Sequence, residues 1–119
     1  MSEEKITKQV IEYCSHPLKE PWLVNDREWS KIVISSHYEA NHSEYMNDEL
    51  ILKLAQQLAK GSFIPKLQGQ LADGTTWESF AQEPLWQDDK AYRLVWYWEL
   101  NKPNLWIINC HRRKKYERK

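Results

Sequence analysis

Residues 91–119 read AYRLVWYWELNKPNLWIINCHRRKKYERK, and this stretch decides the fold. Runs rich in aromatic and β-branched residues lie on both sides of a central Asn-Lys-Pro-Asn segment, which predicts two antiparallel strands joined by a short loop. If Leu100 pairs with Leu105, Arg93 faces Arg112 across the hairpin. An anion or an acidic side chain between the two guanidinium groups would offset their repulsion. The second strand therefore ends in a cluster of cations.

The charge of the chain is unevenly distributed. Its 17 Lys and Arg balance 17 Asp and Glu, yet residues 111–119 hold six of these cations and one acid. The remainder is acidic, which excludes a globally basic nucleic-acid-binding protein but not a locally basic one. A solvated tail that only aids solubility is the competing interpretation of the cationic segment.

The length of 119 residues predicts a single domain. The sequence contains no run of eighteen apolar residues that could cross a membrane. Residues 1–5 lack the features of a signal peptide. Cys14 and Cys110 have no metal-ligand spacing around them. We therefore expect a cytoplasmic protein without a membrane partner, a metal or a cofactor.

Hydrophobic periodicity predicts helical structure near the N-terminus. Ile6, Val10 and Cys14 recur at helical spacing, so we expect a helix over residues 3–14. The prolines that follow predict a connector over residues 17–28. This helix and connector would form the first part of the domain, residues 1–28.

Turn and capping residues predict the remaining elements. Asn47 and the two acids after it are typical of a helix N-terminus, and Gly61 is placed to end that helix. Asp73-Gly74 predicts a tight hairpin. The expected fold is an α+β domain, with N-terminal helices packed on one face of a roughly four-stranded twisted antiparallel sheet.

A second segment whose side chains could take part in catalysis is SSHYEANHSEY, residues 35–45, which contains His37 and His42. A histidine near neutrality can take a proton from a ribose 2′-hydroxyl or return one to a leaving oxygen. The five-residue separation of the two histidines misses the spacing of a helical two-His metal site. Capping or packing of a helix end is the structural alternative for His37.

Four short motifs together resemble the RelE-type endoribonuclease superfamily, with a layout particularly similar to the phage nuclease RegB. The motifs are Ser-Ser-His at 35–37, Asp-Glu-Leu-Ile at 48–51, Tyr-Arg-Leu-Val at 92–95 and Ile-Ile-Asn-x-x-Arg at 107–112. The resemblance covers about residues 29–114, followed by a basic tail at 115–119. It implies metal-independent cleavage of RNA by 2′-hydroxyl transesterification, which leaves a 2′,3′-cyclic phosphate. It also implies a cognate antitoxin or immunity protein as a partner.

The resemblance assigns roles to individual residues. His37 would be the general base or acid, and Arg93 and Arg112 would stabilise the pentavalent phosphate. His111 or Tyr92 would be the second proton-transfer group if the opposite face were the active one. The expected binding residues are Arg113, Lys114, Lys115, His111, Tyr92 and His42. The neutral overall charge favours a small structured substrate such as tRNA.

Two other functions remain open. In a non-catalytic nucleic-acid-binding module, the aromatic residues of the final hairpin would stack on bases while the cationic segment holds phosphates. The structural alternative for Trp96, Tyr97, Trp98 and Trp106 is a place in the core. In a protein-interaction module, such as an antitoxin, immunity or adaptor protein, the acidic body would be the working surface.

Overall fold

The computed structural model describes residues 13–35 and 47–117, which form six strands and one α-helix. The strands are β1 (Tyr13–Val24), β2 (Arg27–Ser35), β3 (Leu67–Gln70), β4 (Thr76–Gln87), β5 (Lys90–Glu99) and β6 (Asn104–Arg112). The helix α1 spans Asp48–Gln56, and a short 3₁₀ helix spans Lys114–Glu117. All six strands belong to one sheet in the order β1-β2-β6-β5-β4-β3. The β2–β6 pair is parallel and the other pairs are antiparallel.

The predicted fold class is wrong. The described residues form a six-stranded mixed sheet with one α-helix, not N-terminal helices packed on a four-stranded antiparallel sheet. The predicted connector at 17–28 contributes instead to the β1–β2 hairpin, whose turn residues Asn25 and Asp26 have φ values of 54° and 61°. These values are typical of a two-residue hairpin turn. The prolines are tolerated because β1 is an edge strand with an irregular register between Pro17 and Trp22.

Most of the helix predicted over residues 3–14 lies outside the described residues, but residues 13 and 14 belong to β1. The helix predicted after Asn47 is confirmed at its start, but it ends at Gln56 and not at Gly61 as predicted. The Asn47 Oδ1 atom accepts a hydrogen bond from the Leu50 N–H at 2.8 Å. The turn at Asp73-Gly74 is also confirmed, and the φ of 88° at Gly74 explains the glycine.

The final hairpin is confirmed, and it follows β4 almost directly. Strand β4 continues through Pro84 to Gln87, and a two-residue turn at Asp88 and Asp89 leads directly into β5. Both turn residues have positive φ values, 53° and 67°. The chain therefore pairs β4 and β5 along nearly their whole length.

The core lies between α1 and one face of the sheet. Ile51, Leu54 and Leu58 pack there against Trp96 and Trp98 of β5. Both tryptophans are fully buried, which confirms the structural interpretation of these two alternating aromatics. Such rings bury large apolar areas, and their offset contacts add to the hydrophobic stabilisation.

No helix in residues 13–35 and 47–117 is both long enough and apolar enough to cross a membrane.

The side chain of Asn25 connects the β1–β2 turn to the segment that follows α1. Its Nδ2 donates to the Phe63 carbonyl at 2.9 Å, and its Oδ1 accepts from the Phe63 N–H at 2.6 Å. The backbone N–H of Asn25 also donates to the Gly61 carbonyl at 2.9 Å. This single residue thus satisfies both backbone groups of Phe63, whose ring meets Trp96 edge-on in the core.

We expect Asn25→Gly to lower the free energy of unfolding by about 1–3 kcal/mol, because it removes two side-chain hydrogen bonds and leaves the Phe63 backbone unpaired. Glycine tolerates the positive φ, so the turn itself is preserved. The matched control is Asp26→Gly, at an exposed turn position with no side-chain hydrogen bond among the described residues. Urea unfolding measures both variants; equal destabilisation would show that the Phe63 contacts contribute nothing.

Candidate functional site

The register of the final hairpin differs from the predicted one. Trp98 pairs with Leu105, and this shift of two residues leaves the β6 side chains up to Ile107 on their expected faces. A bulge then inserts Ile108, so that Arg93 pairs with His111 and Arg112 lies one position further along. Because one extra residue reverses the alternation, Arg112 moves to the opposite face. The predicted pairing of Arg93 with Arg112 is therefore wrong.

Arg112 lies on the face that carries α1, where it forms an ion pair. Its Nε and Nη2 atoms each lie 2.8 Å from a carboxylate oxygen of Glu117. The Glu117 Oε2 atom also accepts the Ala91 N–H at 2.8 Å. The bidentate Arg112 contact, helped by the Ala91 N–H, lowers the pKa of Glu117 to about 2. Arg112 thus holds the C-terminal segment against the start of β5.

The other predicted binding residues at this end of the hairpin, Tyr92, Lys114 and Lys115, differ in burial. Tyr92 is only 3 % exposed, and burial raises the pKa of its hydroxyl, so it cannot readily exchange protons with a substrate. Lys114 and Lys115 are exposed on the 3₁₀ helix that follows Arg113. The expected cationic cluster is therefore divided between the two faces of the sheet.

Arg113 continues beside β5 after β6 ends, with its N–H donating to the Ala91 carbonyl at 2.8 Å. Its guanidinium reaches across β5, where Nε lies 2.7 Å from Oε1 of Glu83 on β4. The two atoms attract by charge without the alignment of a hydrogen bond. Alternation along β6 places Arg113 on the face of Arg93, but Glu83 already neutralises it.

We call the sheet face opposite α1 the outer face. Its residues on the three central strands are Arg93, Val95, Tyr97 and Glu99 of β5, Trp106, Asn109 and His111 of β6, and Trp77, Ser79 and Ala81 of β4. Arg93 is partly exposed and has no carboxylate partner among the described residues. It lines a groove of about 320 Å³ together with Lys66. His111 lies directly across from it on β6.

Three aromatic rings form a row across the outer face. The ring centroids of Trp77 and Tyr97 are 5.9 Å apart, and those of Tyr97 and Trp106 are 5.6 Å apart. Trp77 also lies against Gly69 of β3, where an added Cβ would approach the indole to 2.9 Å. The Tyr97 hydroxyl donates to Glu99 at 2.9 Å. Burial and this bond raise the pKa of Tyr97 to about 12, so it remains neutral.

Sequence reasoning missed two residues of this site. Trp77 was identifiable, because along β4 it faces opposite to the apolar Phe80, just as Tyr97 faces opposite to the buried tryptophans of β5. Glu83, which neutralises Arg113, had no local signal, because the contact joins strands β4 and β6 on either side of β5.

The two histidines of the 35–45 segment, His37 and His42, lie outside the described residues, so their roles stay predictions. Another histidine, His16 of β1, lies 2.8 Å through Nε2 from Oδ2 of Asp48 at the start of α1. Within residues 13–35 and 47–117, no group of three His, Cys, Asp or Glu side chains is arranged to hold a metal ion. Cys110 is buried, which raises its pKa to about 12 and keeps the thiol protonated and unreactive.

No protein-family model, curated protein or solved structure matches this chain. The resemblance to the RelE-type endoribonucleases therefore depends on the sequence motifs alone and stays a prediction.

The Glu117 contacts predict an acid-sensitive contribution to stability. Because the pKa of Glu117 falls from 4.5 to about 2 on folding, its contribution is complete above 4.5 and is lost as the pH falls towards 2. We expect Glu117→Gln to be less stable than the wild-type protein at pH 6 and nearly equal to it at pH 2. Urea midpoints across this range measure the difference.

The matched control for this experiment is Glu28→Gln, a change of the same charge at an exposed position on β2. Its difference from the wild-type protein should change little between pH 6 and pH 2. A constant difference for Glu117→Gln would show that the ion pair with Arg112 does not form in solution.

Proposed function

We propose that the outer face binds single-stranded RNA, with the aromatic row stacking on bases and Arg93 holding a phosphate. One observation carries this proposal: a partly exposed arginine without a carboxylate partner among the described residues shares a sheet face with Tyr97 and Trp106. Aromatic platforms beside cationic grooves are the usual means of binding single strands without strict sequence preference.

The spacing of these groups suits an extended strand. Arg93 and Tyr97 are four residues apart on β5 and point to the same face, so they lie about 13 Å from each other along the strand. A guanidinium binds phosphate oxygens through two parallel N–H groups, and its geometry on a rigid strand limits the entropy lost on binding. A strand of RNA running along β5 can therefore contact both.

The ion pairs of the other arginines determine how strong this binding can be. Arg112 is bound to Glu117 and Arg113 to Glu83, so neither is available to neutralise a phosphate. With so few cations among the described residues of the outer face, electrostatic attraction supplies little of the affinity and stacking supplies most of it. The affinity for RNA should therefore fall only slightly as the salt concentration rises, as expected for one or two phosphate contacts.

We expect Trp106→Ala to weaken binding of a fluorescently labelled oligouridylate by about 1–3 kcal/mol, the usual contribution of one stacked base. Arg93→Ala should weaken binding and also flatten the salt dependence by about 0.7 in the slope of log affinity against log salt, because one phosphate contact is lost. Fluorescence anisotropy at several salt concentrations measures both effects.

The control is Lys53→Ala, which removes one positive charge from an exposed position on α1, away from the outer face. It should leave affinity and salt slope nearly unchanged. If Lys53→Ala weakens binding as much as Arg93→Ala does, the attraction is non-specific and the proposed site is wrong. Unchanged binding by Trp106→Ala would exclude the stacking surface.

Endoribonuclease activity is a second candidate function, favoured by the position of His111 directly across from Arg93. An imidazole can exchange the protons of the 2′-hydroxyl and the leaving oxygen, while the guanidinium stabilises charge that develops on the phosphate. Arg112 is bound to Glu117, so it would serve this reaction only by supporting the hairpin.

If the chain is a ribonuclease, incubation with total tRNA in EDTA should give fragments ending in 2′,3′-cyclic phosphate. His111→Ala should then lose cleavage while RNA binding is kept, and Arg93→Ala should reduce the rate by about a hundred- to a thousandfold. His37→Ala tests the role that the family resemblance implies. RNA that is bound by the wild-type protein but stays intact would exclude catalysis and leave the binding function.

A further inference from the structure

Among residues 13–35 and 47–117, strand β3 leaves part of β4 without a neighbour on one side. It pairs only with residues 76–79 of β4, whereas β4 continues to Gln87. The Lys66 N–H donates to the Ser79 carbonyl at 2.8 Å, and no described backbone pairing extends this ladder further. Backbone groups of alternate strand residues point the same way, so the N–H and carbonyl of Ala81 face the vacant side. An unpaired edge of this kind can accept another strand.

A groove with both apolar and cationic walls adjoins this edge. It has a volume of about 320 Å³, and Ala81, Val95 and Leu67 lie beside Lys66 and Arg93 in its lining. Leu67 is 65 % exposed, so its side chain is accessible to an added strand. A strand added at Ala81 would place alternate side chains over this groove, so apolar and acidic side chains would suit it.

The available edge is short. The register of β4 shifts between Gln82 and Leu85, and Pro84 has no N–H to donate. Further along, the Trp86 carbonyl already accepts a hydrogen bond from Gln57 Nε2 at 2.8 Å. Only a few residues of a partner can pair with β4, so much of the affinity must come from side chains in the groove.

The charges distinguish between the partners that could supply this strand. A second copy of the chain, paired edge to edge at Ala81, would bring its own Lys66 and Arg93 against the same residues, and like charges in opposed positions are unfavourable. A nucleic acid has no peptide backbone with which to continue the ladder. An extended acidic peptide satisfies both the backbone groups of Ala81 and the cations of the groove.

We propose that the β4 edge at Ala81 binds an extended peptide with alternating apolar and acidic side chains. The peptide adds a short strand to the sheet, and its carboxylates meet Lys66 and Arg93. Since Arg93 also belongs to the proposed RNA surface, a bound peptide of this kind excludes RNA from that end of the outer face. The proposal does not depend on RNA binding, because the edge and the groove are sufficient for the peptide.

The experiment titrates the ¹⁵N-labelled protein with a blocked peptide of alternating valine and glutamate. We expect saturable binding, with hydrogen exchange of the Ala81 amide slowed by about tenfold or more at saturation. One control peptide has the same sequence with alternate amides N-methylated, which removes its donors but keeps its charge. A second has lysine in place of glutamate. Neither control peptide should bind.

Protein variants separate the peptide site from the RNA surface. Leu67→Asp should weaken peptide binding by about tenfold, because it puts a negative charge at the mouth of the groove. Leu71→Asp makes the same change in the β3–β4 turn, outside the groove, and should have little effect. Trp106→Ala should leave peptide binding unchanged, while Arg93→Ala weakens it. Failure of RNA binding alone would not alter these results.

Three outcomes would overturn the proposal. Equal binding of the N-methylated peptide would mean that charge alone attracts the peptide and no strand is added. If the peptide saturates but hydrogen exchange at Ala81 is unchanged, the edge is not occupied. The same conclusion follows if exchange is unchanged and binding does not saturate in the millimolar range. A concentration-dependent dimer that protects Ala81 without peptide, seen by sedimentation and exchange, would assign the edge to a second copy.

Discussion

Trp29 stacks on Trp98 with ring centroids 4.3 Å apart and planes 14° apart, although their strands, β2 and β5, are not neighbours in the sheet. The stack exists because β6 lies between them and pairs in parallel with β2, starting where the Ser30 N–H meets the Pro103 carbonyl. Parallel neighbours require a long connection, and here α1 and three strands supply it. This pairing brings the N-terminal hairpin into the same core as the helix and the C-terminal strands.

A single inserted residue determines the character of the outer face. Because Ile108 reverses the alternation of β6, Arg112 turns towards α1 and binds Glu117, while Arg113 reaches Glu83. Arg93 has neither partner. The sequence suggests one block of cations. In the described structure two of its arginines are neutralised, and Arg93, beside the aromatic row, has no carboxylate partner among the described residues. The distribution of charge follows from strand geometry more than from composition.

Local chemistry made some elements predictable and left others hidden. The cap at Asn47, the turn at Asp73-Gly74 and the final hairpin depend on residues within a few positions of each other, and all were predicted correctly. Strand β1 of the N-terminal hairpin was missed because prolines are tolerated at its edge position, and the parallel pairing of β2 was missed because its partner lies about seventy residues later. Arg93 and Tyr97 were identified from alternation, but the bulge that separates Arg93 from Arg112 has no sequence signal.

The contact of Glu117 with Ala91 and Arg112 has a kinetic consequence for the folding pathway. Strands β3 to β6 each pair with their neighbour in sequence, and Glu117 closes this meander by returning the end of the chain to the start of β5. Contacts between residues close in sequence lose little chain entropy on forming, so this unit can assemble early. The β1–β2 hairpin docks onto β6 only after a much longer loop has closed. This topology therefore favours a pathway in which the C-terminal sheet forms first and the N-terminal hairpin attaches to it slowly.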